Sequence, residues 1–97
     1  MVRHSVIFNL KFAVNSVEGQ DFFTAAKLLA DIPGVKNFEC LKQTSKKNNF
    51  DFGLSMEFAD QSLYNEYSNH SNHILFIHKY WLANVAGFLE IDFEPLD

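Results

Sequence analysis

The stretch Phe50 to Phe58, FDFGLSMEF, alternates without a fault: Phe50, Phe52, Leu54, Met56 and Phe58 are apolar, while Asp51, Gly53, Ser55 and Glu57 are polar or small. A period of two places all five large side chains on one face, which is the pattern of a strand lying on a core. Just upstream, Val35 to Thr44 carries Phe38 and Cys40 in alternation with Asn37 and Glu39, and the polar segment TSKKNN separates the two runs. These runs predict an antiparallel hairpin with a long tip.

Working outward, Asp60 is a candidate N-cap for a helix through Leu63, Tyr64 and Tyr67, and ILFIHKYWLANV continues with Ile74, Ile77 and Trp81 at helical spacing. On the other side, Asn15 and Glu18 have the spacing of a capping box, and Phe22, Phe23, Ala26, Leu29 and Ala30 predict a helix over about residues 16–31. The turn IPGV, Ile32 to Val35, ends it. At the start of the chain the even positions of Val2 to Phe12 read Val, His, Val, Phe, Leu, Phe, so a first strand carries His4 on its apolar face. A buried imidazole needs a hydrogen-bond partner there. At the end, Val85, Gly87, Leu89, Ile91 and Phe93 alternate with Glu90, Asp92 and Glu94 before Pro95.

The order is therefore β-α-β-β-α-β, the ferredoxin-like α+β arrangement, an antiparallel sheet with its helices on one face. Apolar residues also occur at several outward positions, so the free sheet face or an edge is expected to meet another subunit.

At 97 residues the chain makes one domain, 1–97, and with 47% apolar residues, eleven Phe and 21% charged residues it has the composition of a packed core. Twelve acidic against eight basic residues give a net charge of −4, which offers no attraction to nucleic acid; Lys46 and Lys47 are read as a solvated loop. Cys40 is alone and reads as a small strand residue. The segment MVRHSVIFNLKF lacks a signal-type core and no apolar run approaches about 18 residues, so a soluble cytoplasmic protein with no membrane contact is expected. Gly34 and Gly87 are isolated and form no phosphate-cradling loop.

The residues with chemistry gather in YSNHSNH, Tyr67 to His73. On one unbroken helix Tyr67, His70 and His73 would sweep around the axis, about 300° per step of three, so a break over Asn69 to Asn72 is expected, with Ser71 capping the next helix. His73 then falls in a first helical turn, where the dipole favours the neutral imidazole. His70 and His73 with His4, Asp92 or Glu90 make a weak metal set, since HxxH alone is common; no metal and no cofactor are expected. The stronger chemistry is acid–base: a neutral His73 beside the Tyr67 hydroxyl, with His4 reaching in from the first strand. The alternative is that these groups only satisfy a core. His78, beside Lys79, reads as a solvated or interface residue.

VRHSVIFNLKF, ADIPGVKNFE, FDFGLSMEFAD, YSNHSNH and EIDFEP together resemble the stress-responsive A/B barrel (Dabb) family, almost end to end. Members resemble YxxHPxH at the fourth stretch; Tyr67, His70 and His73 match it, and Ser71 stands where proline is usual. The resemblance implies a dimeric α/β barrel, a homodimer with a small-organic-ligand pocket between the sheet and helices of each subunit. It also implies site roles, because the family includes the polyketide cyclase olivetolic acid cyclase, whose catalytic pair matches Tyr67 and His73. On that basis Tyr67 and His73 are the catalytic candidates, and His4 and His70 the substrate-binding ones. Cofactor-free lyase or cyclase chemistry on a carbonyl compound is one expectation, and a non-enzymatic stress-related structural or binding dimer is the other.

Overall fold

The structure, a computed structural model, describes all residues, 1–97. Strand β1 (Val2–Leu10) is followed by helix α1 (Val17–Lys27), strands β2 (Lys36–Lys42) and β3 (Phe52–Phe58), helices α2 (Gln61–Asn69) and α3 (Ser71–Phe76), and strand β4 (Val85–Phe93). The four strands form one sheet in the order β2-β3-β1-β4, with every neighbouring pair antiparallel. This is the ferredoxin-like α+β fold expected from the alternation of patterns.

Parity on β1 sets the core. Val2, His4, Val6 and Phe8 face the helices, and Leu54, Met56 and Phe58 of β3 join them. Phe22, Ala26 and Leu29 descend from α1 and its 3₁₀ extension Leu28–Asp31, and Tyr67, Phe76 and Trp81 from the second helical layer. Phe8 is the centre of this layer: its ring lies 5.1 Å from Trp81, 5.6 Å from Phe22 and 5.8 Å from Phe52. Tilted aromatic packing of this kind adds to the area burial of each ring.

Local chemistry shapes the helix ends. Helix α1 is capped by Ser16, whose hydroxyl accepts from the Gly19 amide at 3.1 Å, rather than by the expected Asn15. Asp60 caps α2 as predicted, accepting from the Leu63 amide at 2.9 Å. Gly34 supplies a left-handed residue, φ 92°, in the turn that leads into β2. The expected continuous last helix is not regular: α3 passes into a π turn at Ile77–Trp81 and a final short turn, Leu82–Asn84, before β4.

Strand β4 shows a reversal of polarity. Its register pairs Asp92 with His4, Glu90 with Val6 and Phe88 with Phe8, so the acidic residues share the helix-side face. The apolar alternate residues Leu89, Ile91 and Phe93 point the other way, opposite Ile7, Ser5 and Arg3 of β1, on the face away from the helices. Leu89 and Phe93 are half exposed, as is Leu41 of β2.

A Cβ on Gly19 would lie 2.4 Å from the Ala13 carbonyl oxygen and 2.7 Å from that of Val14, both backbone atoms that cannot swing aside. Gly19→Ala is therefore expected to destabilise the fold by about 1–3 kcal/mol, despite the better helix propensity of alanine. Urea denaturation would show this; an unchanged or raised midpoint would mean that the Ala13–Val14 segment yields freely.

Candidate active site

The break between α2 and α3 builds the site. His70 is extended, φ −67° and ψ 139°, and its Nδ1 accepts from the Asn72 amide at 3.1 Å. His70, not the expected Ser71, is thus the N-cap, because its imidazole reaches the amide two residues on. In a continuous helix that amide would bond to the Ser68 carbonyl. Freed from it, the Ser68 carbonyl accepts instead from His73 Nδ1 at 3.0 Å. Tyr67 and His73, six residues apart, would lie about 240° around a regular helix. The break brings their rings to 4.5 Å between centroids, tilted by 45°.

This exchange of partners fixes the tautomer of His73. A carbonyl only accepts, so Nδ1 carries the proton and the neutral ring leaves Nε2 as the basic nitrogen. Burial holds the imidazole below its ordinary pKa of 6.5, the Ser68 bond opposes that, and the neighbouring His4 charge assists it. The neutral form was expected from the helix end; burial comes first among the causes.

His4 is only 7% exposed and its Nδ1 is fully engaged. Nδ1 lies 2.6 Å from Asp92 Oδ1 and 2.9 Å from the Tyr64 oxygen, while the Tyr64 hydroxyl donates to Asp92 Oδ2 at 2.9 Å. Since the Tyr64 proton goes to Asp92, His4 Nδ1–H donates to both oxygens. Stacking of Tyr64 on Phe58, 5.2 Å and 15° between planes, steadies the arrangement. Burial and the Asp92 carboxylate hold the Tyr64 phenol far above its usual range, so it stays a donor. Sequence reasoning put Tyr64 on the helix but gave it no part in the site, and weighed Asp92 only as a metal ligand. The signal was the need of His4 for a partner, but Asp92 emerges as that partner only once the β1–β4 register is known.

A cavity of about 240 Å³ lies between the sheet and the helices, mostly apolar, and it is bordered by His4, Tyr67, His73 and Glu90. Tyr67 is 2% exposed, yet its hydroxyl makes no hydrogen bond. No buried side-chain polar atom lacks a partner, so this oxygen must open on the cavity rather than be sealed in protein. Burial, with the Glu90 charge, raises its pKa well beyond the ordinary phenol range, which keeps it a donor.

His4, Tyr67 and His73 thus converge as expected, and His70 does not: it serves as a cap, outside the cavity lining. His78 is exposed, and Cys40 is half-buried with its thiol pushed up by burial, a poor nucleophile. No group of three His, Cys, Asp or Glu side chains is placed to hold a metal ion. No helix is long and apolar enough to cross a membrane.

Comparison with known proteins agrees with this architecture. Residues 2–95 match the Stress Responsive A/B Barrel Domain (Dabb) family. A Dabb family protein of ferredoxin-like fold from Mesorhizobium loti is 46% identical, with a TM-score of 0.94 over 99% of this chain and 97% of that one. A protein from Arabidopsis thaliana, 24% identical, superposes with a TM-score of 0.84 over 100% of this chain and 97% of that one. A hydroxynitrile lyase from Passiflora edulis shares the fold, with 13% identity and a TM-score of 0.82 over 95% of this chain and 90% of that one. Three further neighbours of the same fold are described as dimeric. No curated protein matches the chain. With a family match over nearly its whole length and a relative at almost half identity, the chain belongs to the stress-responsive A/B barrel (Dabb) family.

Proposed function

We propose that the protein is a cytoplasmic homodimer that binds a small carbonyl compound in the cavity beneath its helices and catalyses acid–base chemistry on it. The observation that carries this reading is the pairing of an unprotonated His73 Nε2 with an unpartnered Tyr67 hydroxyl at one cavity. His73 Nε2 takes a proton from the carbon next to the carbonyl, and the electron pair moves onto the carbonyl oxygen. The Tyr67 O–H donates to that oxygen as its charge grows. The resulting carbanion attacks a second carbonyl in a ring-closing aldol step, or forms by the reverse cleavage in a lyase. His73 then returns the proton. His4, held by Asp92 and Tyr64, presents its other nitrogen to the same cavity. The fold supports chemistry of this class to the extent that one neighbour is a lyase.

A structural role is favoured by a different observation, the complete pairing of His4 Nδ1, which is what a satisfied core imidazole looks like. The two readings separate on hydrogen–deuterium exchange of the α-protons of a β-keto compound, followed by NMR. The wild type is expected to accelerate exchange, and His73→Asn to lose that acceleration by about a hundredfold or more. Tyr67→Phe should reduce it with little change in thermal midpoint. Absence of acceleration by the wild type, with both variants losing about 2 kcal/mol or more of stability, would establish the structural role instead.

Activity should persist below pH 6.5, because the folded-state pKa of His73 lies under that ordinary value. The same shift has a stability consequence. Between the two pKa values the unfolded chain binds more protons than the folded one, so stability rises with pH through that window and falls as the pH drops below 6.5. An acidic limb of the rate profile above pH 6.5 would contradict the assignment of His73 as the base.

The homodimer is supported by the open sheet face, where Leu41, Leu89 and Phe93 are exposed and Ile7 and Ile91 partly so, and by the dimeric neighbours. Placing a carboxylate on that face with Leu89→Asp is expected to give monomers by sedimentation velocity. A wild type that sediments as a monomer at micromolar concentration would overturn this part of the reading.

A further inference from the structure

Glu90 is a carboxylate on the wall of a mostly apolar cavity. It stands opposite Val6 in the β1–β4 register, on the helix-side face, and makes no hydrogen bond or ion pair with any side chain. No lysine or arginine borders the cavity, and the nearby Asp92 is taken up by His4 and Tyr64. The charge of Glu90 reaches across the space, since it acts on the phenols of Tyr64 and Tyr67 and on the His73 imidazole. It is exposed, so water satisfies it while the cavity is empty. A ligand that fills the apolar part displaces some of that water and must replace its hydrogen bonds, or leave the carboxylate underhydrated.

We propose that Glu90 makes the cavity selective for carbonyl compounds that carry an ammonium group, and that it rejects carboxylates. The inference rests on the reading of the cavity as a ligand site. The carbonyl end lies with Tyr67 and His73, the apolar body against Val6, Leu54 and Phe88, and the ammonium group meets Glu90 in a charge-assisted hydrogen bond. A carboxylate in the same place meets like charge with no lysine or arginine on the wall to relieve it.

The test uses three probes of nearly equal size: para-(aminomethyl)acetophenone, para-methylacetophenone and para-acetylbenzoate. Each is titrated at neutral pH and low salt into wild type and into Glu90→Gln, following the His73 ring signals by NMR. In the wild type the ammonium probe should bind about tenfold more tightly than the carboxylate probe, an electrostatic preference that added salt weakens. In Glu90→Gln the preference should shrink to within about twofold, with the affinity of the neutral probe unchanged. Equal wild-type affinity for all three, or a preference that survives in Glu90→Gln, overturns the role of Glu90 and leaves the ligand site standing. Failure of all three probes to move the His73 signals removes the ligand site and the proposal together.

Discussion

The structure depends on the burial of one imidazole. The period of β1 puts His4 on the same face as Val6 and Phe8, so the strand that organises the aromatic core also carries a polar ring into it. An unpaired buried donor costs about 1–3 kcal/mol, enough to matter in a domain of this size. Asp92 and Tyr64 remove that cost from opposite sides, one from the adjacent strand and one from α2. The edge strand and the second helix are thereby tied to the centre of the sheet by polar as well as apolar contacts.

The second organising event is the interruption at His70. A helix that ends leaves carbonyls without partners, and one that begins leaves amides without them. Here the same few residues settle both debts locally: His70 takes the Asn72 amide, and His73 takes the Ser68 carbonyl. Ser71 takes the first position of the new helix, and the cap falls to His70 before it. A backbone discontinuity thus sets the protonation site of the ring that faces the cavity.

Much of this was legible in the residues. FDFGLSMEF and the even positions of β1 declare their faces, and the helical spacing of Phe22, Ala26 and Leu29 declares α1. Tyr67 and His73 stood out because YSNHSNH interrupts two helical patterns. The parts that escaped depend on information that no local pattern holds. Tyr64 looks like an ordinary amphipathic-helix residue, and only the packing of α2 over β1 brings it to His4. Asp92 and Glu90 look like the solvent side of β4, since the other side is apolar; the sheet register reverses that assignment. The choice of Ser16 over Asn15 as a cap turns on a single-residue offset between equally suitable side chains, and that of His70 over Ser71 on where the new helix begins.

The reversed polarity of β4 also guards its alignment. Along this strand Leu89, Glu90, Ile91 and Asp92 belong alternately to the open sheet face and to the helix-side face. A slip of one residue against β1 would turn leucine and isoleucine toward His4 and send both carboxylates to the open face. That single error would orphan a buried imidazole and charge an apolar surface at once, so the two faces of one strand proofread each other.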